Sequence, residues 1–312
     1  MRIVLTGATS FIGRAALDIL TEEGHQVLAA VRPGSPGRAA LEGRRGVEIL
    51  DCTLADISSL KGHPGLKDGA DGWLHLGWEG AGSANRQDSQ VQHRNIGYAL
   101  DSLETAAAVG CGRFLFSGSQ AEYGICRDVM REDMECHPVS EYGKDKLQVC
   151  MRAAELAGKL GIGYIHTRIF SVYGPGDHPW SLVETCLDAF LGGGHIELGA
   201  CTQQWNYLYV TDAAMALAQL LLGKASPGVY NVAGEDTRPL KSYIEEIHRL
   251  CGGGGTYSYG ERPPNAGGVV SLRPDIARLK AGTGWESRVD FNTGINSMIA
   301  AGHRGIKGER MS

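Results

Sequence analysis

Short apolar runs alternate with longer amphipathic stretches through the first half of the chain, and this alternation restricts the possible folds more than any other feature. Alternation at this spacing predicts βαβ units, which build a parallel sheet covered by helices on both faces. The predicted strands cover residues 2–6, 26–31, 47–50, 73–76, 112–117 and 163–169, and the predicted helices lie near 12–23, 87–109 and 141–160. The sequence therefore predicts an α/β fold with a doubly wound parallel sheet.

The second half of the chain is less regular. Its pattern predicts a loop at 174–180, a helix at 181–192, an extended piece followed by a helix at 206–222, and a strand at 228–234. The segment that follows is rich in glycine and proline between short helices. This arrangement predicts a smaller lobe, and ligands commonly bind in the cleft beside such a lobe.

Composition narrows the functional classes. The chain has 312 residues, a net charge of −5 and no long basic block, so nucleic acid is not expected as a partner. No apolar run approaches the ~18 residues that would span a membrane, and the amino terminus lacks the anatomy of a signal peptide. The eight cysteines and ten histidines show no metal-ligand spacing. We therefore expect a cytoplasmic protein with reduced thiols, no metal site and no membrane partner.

The first predicted strand runs into a glycine-containing turn, TGATSFIG at 6–13. In a dinucleotide-binding loop the first glycine permits the tight turn and the last permits close packing of helix on strand, and Gly7 and Gly13 occupy these positions. Ser10 replaces the middle glycine, and its hydroxyl could itself bind a phosphate oxygen. The alternative is an ordinary strand-to-helix turn. The residues predicted to bind a dinucleotide here are Gly7, Ser10, Phe11, Ile12 and Gly13.

The end of the second predicted strand bears on the choice of dinucleotide. A site that prefers NAD usually carries an acidic residue there, but this chain has Val31 followed by Arg32. This favours the 2′-phosphate of NADP, with Arg38 or Ser35 as further ligands; the alternative is that Arg32 is a solvated surface residue. We therefore expect NADP(H) to be favoured over NAD(H). Asp51, after the third strand, is the candidate partner for the adenine amino group.

A tyrosine and a lysine four residues apart form the candidate catalytic pair. Tyr142 and Lys146 lie in a predicted helix, and the i,i+4 spacing places them on one face. A phenol with a pKa of about 10 is a poor proton shuttle at neutral pH, and a neighbouring ammonium is expected to lower that pKa. Ser117 and Ser119 end the preceding strand, at the sheet edge where ligands collect. A hydroxyl there could hold the substrate oxygen beside Tyr142; the alternative is that these serines only cap the strand.

Five motifs in a fixed order carry a resemblance to a known family. They are the glycine turn, SGSQAEYG at 117–124, YGKDK at 142–146, RIFSVYGPG at 168–176 and WNYLYVTDAA at 205–214. Together they resemble the extended short-chain dehydrogenase/reductases, in the branch of nucleotide-sugar epimerases, dehydratases and reductases. The similarity runs over about residues 1–300.

The resemblance implies a fold, a cofactor and an assembly. It implies a Rossmann-type domain formed by residues 1–172 with 205–234, and a small mixed α/β substrate lobe formed by 173–204 with 235–312. It also implies an NAD(P) cofactor, a nucleotide-sugar substrate, and a homodimer formed through the second and third predicted helices.

The resemblance also implies the roles of individual residues. Ser119, Tyr142 and Lys146 match a catalytic triad in which Tyr142 exchanges the hydroxyl proton while hydride moves between a sugar carbon and the nicotinamide. Lys146 would also bind the nicotinamide ribose. Further residues expected to contact the cofactor are Leu76, Gly77, Trp78, Asn95, Ser117, Ile169 and Val172.

Departures from the family pattern restrict the reaction. Dehydratases of the branch carry an Asp-Glu pair after the catalytic hydroxyl residue, but this chain has Gln120 and Ala121, which cannot shuttle a proton. Reductases that also epimerise C3 and C5 use a cysteine and a histidine, replaced here by Ala121 and Gly176, although His178 lies two positions further on. Either 4-epimerisation through a transient ketone or one-way reduction of a keto-sugar remains, and an NADP preference favours reduction.

The expected substrate positions depart from the family as well. Ser171 stands where the family commonly has asparagine, and Trp205 where it commonly has a diphosphate-binding arginine. A tryptophan cannot neutralise phosphate, but it can stack on a base or a sugar, or fill the lobe interface. Arg262 and Arg273 could replace that arginine or could be surface residues. Glu122 is expected either to bind a sugar hydroxyl or to face solvent.

Three functions are compatible with these features. The first is an NADP-leaning 4-epimerase or 4-keto reductase of a nucleotide-linked sugar. The second is an NADPH-dependent reductase of a non-nucleotide carbonyl compound, which the tryptophan and serine substitutions favour. The third is a non-catalytic protein that senses the cofactor, and the complete triad argues against it. The residues predicted to bind substrate are Ser119, Gln120, Ser171, His178, Trp205, Arg262 and Arg273.

Overall fold

The computed structural model describes residues 1–263 and 270–302. Its strands are β1 Arg2–Thr6, β2 Gln26–Val31, β3 Val47–Asp51, β4 Gly72–His75, β5 Arg113–Ser119, β6 Gly163–Ile169, β7 Ser171–Tyr173, β8 His195–Glu197, β9 Gln204–Tyr209, β10 Gly228–Val232, β11 Thr237–Pro239 and β12 Thr256–Ser258. Its α-helices are α1 Phe11–Glu22, α2 Ser89–Ala108, α3 Glu141–Leu160, α4 Leu182–Leu191, α5 Val210–Leu222, α6 Leu240–Leu250, α7 Ala277–Thr283 and α8 Phe291–Gly302.

Seven strands form the main sheet, in the order β3-β2-β1-β4-β5-β6-β10. Every neighbouring pair is parallel. The strand order reverses between β1 and β4, and the carboxyl ends of these two strands open a crevice of the kind that binds nucleotides in open α/β sheets. The prediction of a doubly wound, Rossmann-type fold is confirmed.

Helices cover both faces of this sheet. Phe114 and Phe116 of β5 pack into an apolar layer beneath α2 and α3, whereas Leu115 between them packs into the layer beneath α1 and α5. Successive side chains of a strand point to opposite faces, so a strand that is apolar at every position requires cover on both. The same short strands therefore supply side chains to both layers of the core.

Capping residues determine where the helices of the site begin. Asp88 accepts the amides of Gln90 and Val91, so α2 begins at Ser89 rather than near residue 87. Ser140 accepts the Gly143 amide and starts α3 at the predicted residue. The Ser140 cap fixes the first turn of α3, which carries the candidate catalytic tyrosine.

A smaller region stands beside the main sheet. It holds a three-stranded sheet, β11-β9-β7, a two-stranded sheet, β12-β8, and an apolar core that includes the aromatic residues Tyr173, Tyr243 and Phe291. The boundaries of the two lobes stay a prediction; β9, assigned to the larger lobe, pairs with strands of the smaller sheet. The parts of the predicted small lobe at 264–269 and 303–312 lie outside the described residues. None of the described helices combines the length and apolar character needed to cross a membrane.

Candidate active site

The turn between β1 and α1 has the geometry of a phosphate-binding loop. Gly7 has a φ of 73°, and a Cβ there would stand 2.9 Å from the Gly77 amide nitrogen. A Cβ on Gly13 would overlap the Gly7 carbonyl oxygen, so close backbone contacts require both outer glycines. Ser10, at the middle position, is the N-cap of α1 and accepts the Gly13 amide at 3.1 Å.

The first turn of α1 can accept an anion. The amides of Phe11 and Ile12 have no hydrogen-bond acceptor among the described residues. They lie at a helix N-terminus, where the partial positive charge favours a phosphate. The Ser10 hydroxyl accepts in its capping bond, so its proton can still be donated to a phosphate oxygen. A dinucleotide pyrophosphate therefore fits this turn.

The residues predicted to select the cofactor lie after β2 and at the end of β3. Arg32 is exposed and makes no ion pair within residues 1–263 and 270–302. Arg38 donates to both carboxylate oxygens of Asp51. The proposed roles of Arg38 toward a 2′-phosphate and of Asp51 toward adenine therefore compete with their own ion pair. Ser35 donates to Thr9 Oγ1 at 3.4 Å, which brings this segment beside the glycine turn.

The segment after β4 is bonded to β1 and supported by α2. The Leu76 amide donates to the Thr6 carbonyl at 3.2 Å, and the Gly77 amide donates to Thr6 Oγ1 at 3.1 Å, so both lie beside the glycine turn. Asn95 is buried in α2, where its side chain accepts the Glu79 amide at 2.7 Å and donates to the Glu79 carbonyl at 3.0 Å. The Asn95 side chain therefore supports this segment from the side of α2.

β5 and α3 bring the predicted triad together. β5 continues to Ser119, two residues beyond the predicted end of the strand. Tyr142 is the second residue of α3, and the Ser119 side chain acts on its phenol by lowering the pKa of that group. Lys146 lies one turn further along, with Nζ 5.6 Å from the centre of the Tyr142 ring. A Cβ on Gly143 would stand only 2.5 Å from the Ala121 carbonyl oxygen, so glycine is what lets α3 approach the turn after Ser119.

The Lys146 ammonium is buried among neutral groups, with a relative exposure of 2%. Its Nζ donates to the Ser117 carbonyl at 2.5 Å and lies 3.8 Å from the centre of the Trp78 ring and 4.6 Å from that of Phe116. Burial lowers the pKa of Lys146 to about 7, against the opposing effect of the Glu122 carboxylate. Ser117, predicted to use its hydroxyl, contributes its backbone carbonyl to this contact.

The Tyr142 phenol has a raised pKa. Burial is the main cause, and it outweighs the Arg86 guanidinium, 4.7 Å from the ring centre, and the Ser119 side chain, which both lower this pKa. The prediction that the Lys146 ammonium lowers the phenol pKa below its ordinary value is wrong, because burial of the ring dominates. Arg86 was missed by sequence reasoning, since it lies in the loop after β4 and belongs to no motif.

Trp78 packs against the candidate catalytic pair. Its ring meets that of Tyr142 edge to face, with the ring centres 5.9 Å apart. Its Nε1 donates to Gln92 Oε1 at 2.8 Å, and Gln92 Nε2 donates to the Gly80 and Asn85 carbonyls at 2.9 Å. One glutamine of α2 thus fastens both Trp78 and the loop that follows it.

Glu122 neither faces solvent nor is open to a sugar hydroxyl, so both expectations for it are wrong. Its buried carboxylate bonds the Ser119 amide, His166 and Arg168. Sequence reasoning missed His166 and Arg168, although polar residues at alternate positions of a predicted buried strand were a usable signal. Glu122, Cys150 and His166 bring atoms of metal-ligand type within 4.8 Å of one another. Because Arg168 already neutralises the carboxylate, we assign this cluster as an ion-pair network.

Several predicted ligand residues lie at the carboxyl edge of β5 and β6. Gln120 follows Ser119 directly and is half-buried. Ile169 ends β6 and pairs in register with Ser119. Ser171 and Val172 are half-buried in β7, which begins two residues later. These residues share the strand edge at which the triad stands.

The remaining predicted substrate residues lie in the smaller region. Trp205 is half-buried between two apolar clusters, with an Nε1 that is buried and has no hydrogen-bond partner among the described residues. His178 is exposed and stacks on Trp180, with the ring centres 4.5 Å apart. Arg262 and Arg273 are exposed. No hydrogen bond or ring contact joins Trp205, His178 or either arginine to the triad within the described parts of the chain.

The chain belongs to the NAD dependent epimerase/dehydratase family, whose model matches residues 3–233. It is an enzyme of the short-chain dehydrogenase/reductase type, and the glycine turn fits the nicotinamide dinucleotide that defines this family.

Individual relatives span nearly the whole chain. The UDP-glucose 4-epimerase of Corynebacterium glutamicum is 26% identical over 308 residues, covering 91% of this chain and 90% of that protein. The dTDP-6-deoxy-L-talose 4-dehydrogenase (NAD(+)) of Aggregatibacter actinomycetemcomitans is 23% identical, over 79% of this chain and 89% of that protein. The structure of a UDP-glucose 4-epimerase with UDP-glucose from Thermotoga maritima superposes with a TM-score of 0.84 at 23% identity, over 96% of this chain and 98% of that one.

Proposed function

We propose that this enzyme moves a hydride at C4 of a nucleotide-linked sugar, as a 4-epimerase or a 4-keto reductase. The observation that carries the proposal is the meeting of Ser119, Tyr142 and Lys146 at the carboxyl edge of the sheet, beside the glycine turn. Relatives named as a 4-epimerase and a 4-dehydrogenase support the choice of C4.

Tyr142 and Ser119 handle the proton of the reacting hydroxyl in this proposal. Ser119 Oγ accepts the Ala121 amide at 3.2 Å, which leaves its own proton for Tyr142 or a substrate oxygen. A nicotinamide dinucleotide, when bound, would supply hydride transfer. As a carbonyl carbon gains hydride, its oxygen takes the proton of the Tyr142 phenol, and in the reverse direction Tyr142 takes the proton back. A raised phenol pKa keeps Tyr142 protonated, which suits proton donation to a ketone.

Dehydration is not part of the proposal. Expulsion of water from a sugar needs an acid and a base beside the reacting carbons. Gln120 and Ala121 occupy the two positions after Ser119, and an amide and a methyl group cannot exchange protons at neutral pH.

We also propose that NADP(H) is preferred over NAD(H). The support is Val31, which leaves no carboxylate at the end of β2, and the exposed Arg32 beside it, which forms no ion pair with any residue that the structure describes. Arg32→Ala is expected to reduce the ratio of NADPH to NADH affinity by about tenfold, since a charge-assisted hydrogen bond contributes roughly 1.5–3 kcal/mol. Fluorescence titration with both cofactors measures this ratio. Arg38→Ala is the matched comparison and should change it less, because Arg38 is paired with Asp51; equal affinities in the wild type would remove the preference.

We further propose a homodimeric assembly and a cytoplasmic location, as expected for members of the family. α2 and α3 pack side by side, and α3 leaves Met151 and Leu160 exposed, which supports a homodimer through these helices. A cytoplasmic location is proposed on the same basis.

A ligand screen followed by turnover tests the function. UDP-, dTDP-, GDP- and CDP-linked sugars are added to the protein with NADPH or NADH, and at least one is expected to raise the melting temperature. That sugar should then be reduced or epimerised by the wild type, with turnover reduced by about 1,000-fold in Tyr142→Phe and cofactor affinity unchanged. Retained turnover in Tyr142→Phe would reassign the proton donor.

A smaller carbonyl compound is the second candidate substrate. It is favoured by Trp205, which places an indole where a diphosphate would need a cation. The absence of stabilisation by any of the four sugar classes, together with NADPH-dependent reduction of small ketones, would replace the first proposal with this one.

A further inference from the structure

A buried carboxylate lies directly behind the catalytic serine, and the proposed reaction does not use it. Glu122 closes the 3-10 turn Gln120–Glu122 that follows β5, and its side chain has no exposed surface. Its Oε1 accepts the Ser119 amide at 2.8 Å, while Ser119 Oγ accepts the Ala121 amide at 3.2 Å. These bonds form a capping box, which fixes the backbone on both sides of the Ser119 hydroxyl.

β6 holds the same carboxylate from the other side. His166 Nε2 lies 2.9 Å from Glu122 Oε1, and Arg168 Nε donates to Glu122 Oε2 at 2.9 Å. The two side chains are two residues apart on one strand, so they share a face of the sheet. Tyr164, two residues before His166, places its hydroxyl 2.9 Å from His166 Nδ1. Burial raises the pKa of Glu122, but His166 and Arg168 outweigh it and leave the pKa lowered.

Gly118 leaves room for this arrangement. A Cβ at this position would overlap His166 Nε2 and would stand 2.5 Å from Glu122 Oε1. Because Gly118 has no side chain, the Glu122 carboxylate and the His166 imidazole can meet in the space beside it.

We propose that Glu122 is a positioning residue of the active site, which fixes the Ser119 turn by anchoring it to His166 and Arg168 of β6. The proposal rests on the proposed function only in assigning catalysis to Ser119 and Tyr142. If the Ser119 amide loses its acceptor, the turn is free to shift, and a displacement of about 1 Å at a catalytic group can cost roughly 100-fold in rate.

The carboxylate also acts on the catalytic pair through its charge. Its negative charge raises the pKa of Tyr142 and of Lys146. Among the described residues, the other titratable or charged groups that face Glu122, Tyr142 or Lys146 are His75 of β4, Arg86 of the loop after β4, Cys136, Cys150 of α3, and Tyr164, His166 and Arg168 of β6. Replacement of Glu122 by glutamine removes this charge while keeping the shape of the side chain.

The first experiment measures the titration of the Tyr142 phenol directly and needs no sugar substrate. The phenolate absorbance near ~295 nm is titrated in Glu122→Gln and in the wild type with NADPH bound, each minus the same protein carrying Tyr142→Phe. The midpoint assigned to Tyr142 is expected to move to lower pH in Glu122→Gln, because a negative charge beside the phenolate has gone. Glu132→Gln is the matched control: Glu132 is half-buried and its carbonyl accepts Arg168 Nη1 at 3.2 Å, but it does not bond Ser119. The Tyr142 titration in Glu132→Gln should have the same midpoint as in the wild type.

The second experiment separates positioning from charge. Glu122→Leu leaves the Ser119 amide without an acceptor, and kcat should fall about 100-fold while KM and the NADPH dissociation constant stay within about threefold. Glu122→Gln should recover most of kcat, because its amide oxygen can still accept the Ser119 amide. If Glu122→Leu does not fold, the double variant Glu122→Leu/His166→Leu, which removes both partners of one buried pair, takes its place with the same expected loss of kcat.

An unmoved midpoint in Glu122→Gln together with wild-type kcat in the leucine variant would overturn the proposal. If the wild type turns over no nucleotide-sugar, the proposed function is wrong. The phenol titration then remains as the test of whether Glu122 acts on Tyr142.

Discussion

Two buried charges flank Ser119, the proposed catalytic serine, and the protein holds them in opposite ways. The Glu122 carboxylate has a backbone amide and two cationic side chains as partners, His166 and Arg168. The Lys146 ammonium has a backbone carbonyl and the faces of aromatic rings, and no carboxylate contacts it among the residues that the structure describes.

The difference between the two charges shows in their titration. Glu122, whose cationic partners outweigh its burial, has a lowered pKa and stays ionised at neutral pH. Lys146, whose partners are neutral, has its pKa lowered by burial to about 7, so its charge changes near neutral pH. A fully paired charge such as Glu122 therefore fixes a backbone segment. A charge among neutral partners, such as Lys146, can change its protonation state and is available for chemistry.

Lys146→Met is expected to have the largest effect on this comparison, because it removes the titratable charge and keeps the shape. Turnover should fall by about 1,000-fold. The free energy of unfolding at pH 7 should nevertheless rise by on the order of 1 kcal/mol, since a lysine with neutral partners is costly to bury. Steady-state kinetics and urea unfolding measure the two effects, and a loss of stability together with activity would contradict the assignment.

The pH dependence of unfolding sharpens the same prediction. Between about pH 7 and the unfolded lysine pKa of about 10.4, the unfolded chain binds one more proton at Lys146 than the folded chain. The stability of the wild type relative to Lys146→Met should therefore rise as pH increases through this window. Lys159→Met, at an exposed position of the same helix, should show neither this slope nor a loss of turnover.

Features that depend on local periodicity and spacing could be predicted from the sequence. Short continuous apolar runs and longer amphipathic stretches located the sheet and the three helices around the site, and the i,i+4 spacing placed Tyr142 and Lys146 on one face. The glycine turn was located for the same reason, because its residues are consecutive in the chain. The roles of these residues as cofactor and substrate ligands stay predictions.

Features that depend on which strands become neighbours could not be predicted. Glu122 finds His166 and Arg168 only because β5 pairs with β6, which lies about 45 residues further along the chain. The raised pKa of Tyr142 likewise depends on how deeply the ring is buried, which spacing does not reveal. The ion pair of Arg38 with Asp51 is a third case, since it depends on the segment between β2 and β3 folding back over the sheet edge.

His166→Gln is expected to have a smaller effect, and it tests the paired side of the comparison. Burial lowers the pKa of His166, but the Glu122 carboxylate outweighs it and raises the pKa to about 9. The folded chain therefore binds the extra proton, so the stabilisation is fully present below the unfolded pKa of about 6.5 and is lost as pH rises through about 9. A glutamine amide can still donate to Glu122, which confines the change to charge.

Urea unfolding of the wild type and of His166→Gln at pH 6 to 9.5 measures this contribution. The difference in the free energy of unfolding should be on the order of 2 kcal/mol at the acid end and should shrink toward the alkaline end. His195→Gln, at an exposed histidine of β8, corrects for the general effect of losing an imidazole. A difference that does not change with pH would mean that His166 is neutral. Arg168 would then be the single counter-charge of Glu122, and the two buried charges would differ less than their contacts indicate.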